Sequence, residues 1–222
     1  MDTNYLSQPP ERFNPLNDYL FLKVMGEKGG ETQLLGFINA ALRLTGADLL
    51  PSVEIIENKV LSAEFLGGKT GILDVRAKLP DGTKINIEAQ LKHYKGFDRR
   101  IMFYEDQVYI EDQKEGDRYR DFPKVIILVI VDFNFLPERR YRANFHMRDE
   151  DDPTLIFTDS QNIRCFDMTK WRKLDKIEID DPLHRWLAWF DKNSPPELIE
   201  EIITMDDARI ICLTTWFKWS GR

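Results

Sequence analysis

The chain has 222 residues, of which 42% are hydrophobic and 31% are charged, as in ordinary globular domains with enough apolar side chains to form a core. Its net charge of −7 argues against a protein that coats nucleic acid nonspecifically, because such binding depends on Lys and Arg. The sequence contains no run of roughly 18 apolar residues, the length that a membrane helix needs. Residues 1–10 are polar and contain proline, unlike a signal peptide. We therefore expect a cytoplasmic protein without a membrane partner, in which Cys165 and Cys212 are small buried hydrophobic residues.

Two helices are expected near the N-terminus. Asn17 or Asp18 is placed to cap a short helix that ends near Gly26, and Asp18 is also open as an additional acidic site residue. Thr32 is expected to cap a longer helix that Gly46 ends, because apolar residues between them recur at helical spacing. These apolar residues are Leu34, Leu35, Ile38, Ala41, Leu42 and Leu44.

Strands are expected next. Residues 53–62 are rich in β-forming residues, and segments 72–79 and 84–91 alternate apolar and polar side chains. Pro80-Asp81-Gly82 lies between the alternating segments and predicts a tight hairpin turn with Gly82 in the left-handed conformation. The sequence therefore predicts an antiparallel hairpin over residues 72–91.

The second half of the chain mixes helices and strands. Residues 97–113 predict a helix, and its inner stripe consists of Phe97, Ile101, Tyr104 and Val108. Residues 124–132 predict a strand that is buried on both faces. Two further strands are expected at 141–147 and 162–168, and two helices begin at Asp181-Pro182 and Pro195-Pro196.

The end of the chain differs in composition from the rest. An apolar and then aromatic-basic string covers residues 210–222. We interpret it as a truncated or altered terminus, or as a final helix packed on the core. The expected organisation is one domain over 1–192 and a helical tail over 193–222.

The hairpin turn also predicts how its two strands pair. A three-residue loop pairs Leu79 with Thr83, and counting back from that pair places Asp74 opposite Glu88. The apolar side chains of both strands then share one face, which supports the same register independently of the turn.

Two carboxylates at opposed positions of neighbouring strands repel each other, because their Cβ atoms lie only about 4.5–5.5 Å apart. A divalent cation would remove this repulsion, and Mg²⁺ binds through one or two carboxylates together with water and phosphate oxygens. The alternative is an acidic pair on an exposed sheet surface, neutralised by Arg76 and Lys78. Strand pairing alone leaves both interpretations open.

The segment GILDVRAKLPDGTKINIEAQL (residues 71–91) resembles the active-site hairpin of the PD-(D/E)XK nuclease superfamily, in which an Asp on one strand precedes Glu-x-Lys on the next. Asp74 and Glu88 match the two acids, and Gln90 stands where Lys is usual. Four further segments resemble the Rpn family of recombination-promoting nucleases, also called putative transposases. They are LNDYLFLKVMGE, LLGFINAAL, FDRRIMFYEDQVY and KVIILVIVDF. The similarity runs from about Phe13 to Phe190.

The resemblance implies an α/β fold with a restriction-endonuclease-like core, in which helices flank a mixed central β-sheet. It implies hydrolysis of DNA phosphodiester bonds with Mg²⁺ or Mn²⁺, in recombination or in mobile-element or phage-related DNA processing. Asp74, Glu88 and the backbone carbonyl of Ala89 would bind the metal, and Gln90 would position water. An amide orients water by hydrogen bonds but lacks the positive charge of Lys. The alternative function is a noncatalytic interaction or DNA-binding module that retains the nuclease fold.

A basic stretch follows the second hairpin strand, and its Lys92, Arg99 and Arg100 are candidates for binding the DNA backbone. A solvated helix start is the alternative. Arg100 and Tyr104 are four residues apart and share one helix side, and both match positions typical of the family, so we expect them to border the site. Core packing explains Tyr104 equally well. DNA is the expected partner, and a homodimer is left open.

Overall fold

The computed structural model describes residues 14–56 and 75–205. Asp74, Cys212 and the string at 210–222 lie outside the described residues, and so does most of the predicted strand at 53–62. The backbone of Asp18 is described. The predictions for Asp74, for Cys212, for residues 210–222 and for the part of the 53–62 strand beyond Ile56 therefore stay predictions.

Six helices and six strands make up the described part of the chain. The helices are α1 (Asp18–Phe21, continued by a π-helical turn at Leu22–Gly26), α2 (Glu31–Leu42), α3 (Phe97–Ile110), α4 (Met168–Trp171), α5 (Pro182–Phe190) and α6 (Pro196–Met205). The strands are β1 (Glu54–Ile56), β2 (Val75–Lys78), β3 (Lys84–Gln90), β4 (Val125–Val131), β5 (Arg142–Arg148) and β6 (Ile156–Asp167). Short 3₁₀ turns occur at Gly46–Asp48 and Tyr119–Asp121.

The strands form one mixed sheet in the order β1-β2-β3-β4-β6-β5. β3, β4 and β6 run parallel, and the remaining neighbours are antiparallel. Parallel neighbours need a crossover connection, usually a helix, and α3 makes the connection between β3 and β4. The predicted mixed central sheet with flanking helices is confirmed.

Helices cover both faces of the sheet. On one face α2 and α5 pack against the apolar side of the hairpin, including Val75, Ile85 and Ile87. On the other face the predicted stripe of α3 packs against alternate residues of β4. Every residue of β4 is buried, as the uninterrupted apolar run predicts for a strand covered on both faces.

The hairpin has the predicted turn and register. Leu79 N donates to Thr83 O over 2.8 Å, and Gly82 N donates back to Leu79 O over 2.9 Å. Gly82 has a φ of 90°, which its lack of a Cβ atom permits without strain. Val75 pairs with Ile87 and Ala77 pairs with Ile85. Along the described residues the register is therefore the one from which the opposition of Asp74 and Glu88 was predicted.

Both predicted limits of the second helix are wrong. α2 begins at Glu31, with Gly30 rather than Thr32 as its N-cap, and it ends at Leu42 because Arg43 turns into the left-handed conformation. A Cβ atom on Gly30 would lie 2.5 Å from Val24 O, so the preceding chain packs too closely for a larger capping residue. Gly46 begins a separate 3₁₀ turn.

Two other limits also differ from those predicted. α3 ends at Ile110 rather than at 113. β6 begins at Ile156 rather than at 162, because its antiparallel pairing with β5 continues to the pair Arg148–Ile156. The outer part of the β5–β6 pair is exposed to solvent, and Phe157 is 85% exposed. Because neither face of this part is buried, its sequence lacks the alternation of apolar and polar residues that would indicate a strand.

The end of the described chain packs on the main core. Ile199 and Ile202 of α6 are buried in the same apolar cluster as α2 and α5. The domain boundary at 192/193 stays a prediction. Cys165 is buried and unpaired, as predicted, and burial raises the pKa of its thiol to about 12. No helix in residues 14–56 or 75–205 is long and apolar enough to cross a membrane.

Candidate active site

Glu88 lies on β3, which carries hydrogen-bonded pairs to β4 along its whole length. Its side chain is fully buried. Placing an ionised carboxylate in such a position is costly unless charges or hydrogen bonds compensate for the lost water. The alternative interpretation of an exposed acid is therefore wrong for Glu88. Asp74, the other acid of the predicted pair, lies outside the described residues.

Two polar groups meet at one oxygen of this carboxylate. Gln90 Nε2 donates to Glu88 Oε2 over 3.3 Å. Arg100 Nη2 lies 3.9 Å from the same Oε2. Gln90 comes from β3 and Arg100 from the first turns of α3, so the site forms where the helix crosses the end of the strand.

Two tyrosines hold the Arg100 side chain in place. Arg100 Nε donates to Tyr104 Oη over 3.0 Å, and the guanidinium carbon lies 5.0 Å from the Tyr104 ring centroid and 5.3 Å from that of Tyr94. Such cation–π contacts restrain a guanidinium and favour its charge. Burial alone would lower the pKa of Arg100, but Glu88 and the two tyrosines outweigh it and raise that pKa above its ordinary value.

The fold brings Arg100 to Glu88 and Tyr104 to Arg100, and the expectation that both border an active site stays a prediction. Tyr94, which sequence reasoning missed, also contacts Arg100. Tyr94 is the aromatic residue inside the basic stretch that follows β3, and that arrangement was the signal that could have identified it. Tyr104 is only 4% exposed and also packs in the α3 core. Tyr104 is therefore a core residue that also contacts Arg100, and its role at a functional site stays a prediction.

A second polar layer lies deeper on the same face of the hairpin. Arg76 and Lys84 are buried cations that both contact Glu111, just beyond the C-terminal end of α3. Lys84 Nζ also donates to Val108 O over 3.0 Å. The amide of Asn86 is fully buried, and within the described part of the chain neither of its polar atoms has a hydrogen-bond partner. Sequence reasoning expected these side chains on a polar strand face but not their burial under α3.

A family model described as PD-(D/E)XK nuclease family transposase matches residues 15–210. The chain belongs to this family. The match spans every described helix and strand and includes the hairpin, the basic stretch and Arg100. No curated protein and no solved structure matches the chain significantly. Membership supports a nuclease-type hydrolase with the α/β core described above.

PD-(D/E)XK nucleases generally use divalent metals. The Glu88 carboxylate is the type of oxygen ligand that Mg²⁺ prefers. Among residues 14–56 and 75–205 no three His, Cys, Asp or Glu side chains form a group that could hold a metal ion. The predicted set of Asp74, Glu88 and Ala89 includes one residue outside these ranges and stays a prediction.

The remaining predicted DNA-binding residues, Lys92 and Arg99, are exposed. Lys92 lies in the turn between β3 and α3. Arg99 borders a shallow depression with Asp98 and Asp106, on the side of α3 next to that of Arg100. In this PD-(D/E)XK chain Arg100 is thus the member of the basic stretch that the fold brings to Glu88.

Proposed function

We propose that the chain is a metal-dependent DNA endonuclease that hydrolyses phosphodiester bonds in recombination or in mobile-element or phage-related DNA processing. The observation that carries the proposal is the buried Glu88 carboxylate, with the Gln90 amide and the Arg100 guanidinium at one of its oxygens. Replacing a buried ion pair by apolar side chains of similar volume is often neutral or stabilising, so a role in the reaction explains the Glu88–Arg100 pair better than stability does. The family supports the nuclease class, and DNA is the substrate that the class implies.

In this proposal Asp74, Glu88 and the carbonyl of Ala89 bind Mg²⁺ or Mn²⁺. The bound cation would polarise the scissile phosphate and make water more acidic. Gln90 would accept or donate a hydrogen bond that orients the attacking water. Lys92 and Arg99 would contact the DNA backbone on either side of the site.

Cleavage of a supercoiled plasmid with Mg²⁺ or Mn²⁺, against an EDTA control, tests this function. The folded wild type should nick or linearise the plasmid. Asp74→Ala and Glu88→Ala should each remove cleavage, and the double variant should be hardly worse than either, since residues that serve one metal act as a unit. Cleavage by Asp74→Ala equal to that of the wild type would place the activity elsewhere.

The second candidate function is a noncatalytic interaction or DNA-binding module, which the neutral Gln90 and the net charge of −7 favour. A metal that binds the native state raises its apparent stability, so the melting temperature of the wild type should rise with Mn²⁺ and that of Glu88→Ala should not. An inactive wild type without a metal-dependent shift would favour the second function. We also propose a cytoplasmic location, and sedimentation of the purified chain distinguishes a monomer from the homodimer that the sequence left open.

A further inference from the structure

We infer that Arg100 is a catalytic residue that supplies, from helix α3, the positive charge that Gln90 does not bring to the strand. This inference rests on the proposed nuclease function. It gives Arg100 a role in the reaction itself, beyond the contact with the DNA backbone expected from the sequence.

The first argument is position. The side chain at residue 90 and the side chain at residue 100 both reach Glu88 Oε2, at 3.3 Å and 3.9 Å. A cation at either position therefore acts on the same small region in front of the carboxylate. Gln90 is neutral, and among the residues that the structure describes Arg100 brings a positive charge near this oxygen.

The second argument is orientation. One N–H of Arg100, on Nε, is used by Tyr104, and Tyr94 and Tyr104 lie beside the guanidinium. A guanidinium has five N–H donors in a fixed plane, so the two Nη groups keep donors for a ligand. The Arg100 side chain is 34% exposed and that of Glu88 is not exposed, so Arg100 reaches from the buried acid to the surface where a phosphate would approach.

The third argument is chemistry. In hydrolysis the oxygen of a water forms a bond to phosphorus and gives up a proton to solvent. The bond to the ester oxygen breaks, and that oxygen leaves with the bonding pair and takes up a proton, so one water is consumed. Negative charge builds up on the phosphoryl oxygens during this exchange, and a fixed guanidinium stabilises it more strongly in the transition state than in the substrate. Fixed donors also need no reorganisation while the bonds change.

Two simpler roles for Arg100 lead to different measurements. If Arg100 only binds DNA, its loss should weaken the affinity for DNA and reduce the salt dependence of binding. The rate at which bound DNA is cleaved should then stay the same. If Arg100 only compensates the Glu88 charge, its loss should lower stability while the folded variant cleaves bound DNA at the wild-type rate. Single-turnover cleavage at saturating protein separates both roles from catalysis.

The test compares Arg100→Gln and Arg100→Lys with Arg118→Gln, a control that removes an exposed guanidinium paired with Asp121. Removing a group that stabilises transition-state charge slows an enzyme by about 100–1,000-fold, and we expect this loss for Arg100→Gln in the single-turnover rate, with a much smaller change in DNA affinity. Arg100→Lys should keep part of the rate. Arg118→Gln should match the wild type. Circular dichroism and melting curves establish that each variant is folded.

The decisive variant combines Arg100→Gln with Gln90→Lys. If the two positions supply charge to one region, the lysine should restore at least about tenfold of the lost rate, equivalent to about 1.4 kcal/mol of barrier. A folded Arg100→Gln with the wild-type single-turnover rate overturns the inference and leaves the nuclease function intact. A slowed variant that Gln90→Lys fails to rescue also overturns it, in favour of a positioning role. A wild type that cleaves no DNA with any metal overturns the function and the inference together.

Discussion

Arg100 and Glu88 form an ion pair across 3.9 Å, and their exposure is unequal: 34% of the Arg100 side chain is accessible and none of that of Glu88. A ligand that approaches from solvent therefore meets the cation before the acid. The net charge of the chain is −7, but the local field at a cleft depends on the charges that line it. A phosphate can thus be attracted to this site although the protein as a whole repels it.

Glu88→Gln keeps the shape of the side chain and removes its charge, so it isolates the role of the acid. We expect DNA cleavage to fall by at least about 100-fold, in line with the loss of a group that the reaction depends on. DNA binding should be unchanged or tighter, because the variant removes a negative charge. Gln90→Ala should be milder, since it loses only an orienting hydrogen bond. Plasmid cleavage and filter binding measure both quantities, and a Gln90→Ala variant less active than Glu88→Gln would contradict these roles.

The buried cations under α3 should make Glu111 important for stability. Glu111→Gln removes the carboxylate that Arg76 and Lys84 share, so Arg76 stays buried without it, while Lys84 keeps its ion pair with Asp112. Breaking a buried ion pair from one side costs about 3–5 kcal/mol, so the urea midpoint should fall clearly. The control is Asp121→Asn, whose ion pair with Arg118 is exposed and should contribute less than about 1 kcal/mol. Equal midpoints for the two variants would mean that water already compensates the buried cations.

The hairpin and the main stripe of α3 could be predicted because their signals are local. Pro80-Asp81-Gly82 determines a three-residue loop, and the loop determines the register of both strands. The stripe from Phe97 to Val108 repeats at the period of one helix face. Both signals act over a few residues, so no knowledge of the distant chain is needed to interpret them.

Asp167 should be a major stabilising residue outside the site. Its carboxylate is fully buried and accepts hydrogen bonds from five donors at 2.6–3.2 Å. They are the backbone amides of Phe135, Leu136, Thr169 and Lys170 and the hydroxyl of Thr169. Asp167→Ala leaves these donors without their acceptor. Since each unsatisfied buried group costs about 1–3 kcal/mol, we expect the free energy of unfolding to fall by at least about 3 kcal/mol.

Chemical denaturation of Asp167→Ala measures this loss. Asp152→Ala is the matched control, because Asp152 also accepts hydrogen bonds from residues close in sequence but is exposed. A loss of the same size in both variants would show that burial does not contribute.

Stability should depend on pH through Glu105. Burial raises the pKa of this carboxyl to about 7, Asp106 adds to the rise, and the backbone of Asn162 opposes it. The unfolded chain ionises near the ordinary value of 4.5, so between these pH values the folded protein holds a proton that the unfolded chain releases. The stabilisation is therefore complete below about pH 4.5 and is lost as the pH rises through about 7.

Glu105→Gln should remove this dependence. We expect it to be more stable than the wild type at pH 8, by up to about 3 kcal/mol since each pKa unit corresponds to about 1.4 kcal/mol, and the difference should shrink towards pH 5. Melting curves at several pH values measure the effect, and Glu115→Gln is an exposed control. A difference that grows as the pH falls would contradict the assigned pKa.

Contacts that form only in the folded chain explain what the sequence could not predict. Tyr94 lies in the connection between β3 and α3, and its contact with Arg100 depends on how that connection bends. In the sequence Glu111 is one of several acidic residues near the end of a helix, and only the folded structure shows that it pairs with Arg76. The start of α2 was misplaced for the same reason, since the close approach of Gly30 to Val24 involves a preceding helical turn. Residue type and periodicity alone do not predict these contacts.

The position of β3 inside the sheet should determine how slowly its backbone amides exchange with deuterium. Glu88 and Gln90 are paired with Val129 and Val131 in the middle of the molecule, so their amide protons should exchange with deuterium only when the whole sheet opens. The first turn of α3 has no side-chain cap at Gly96, and such helix ends open locally at much lower free energy. Amide exchange should therefore be much slower at Glu88 and Gln90 than at the first residues of α3, although the contacts with Tyr94 and Tyr104 restrain the Arg100 side chain in the closed state.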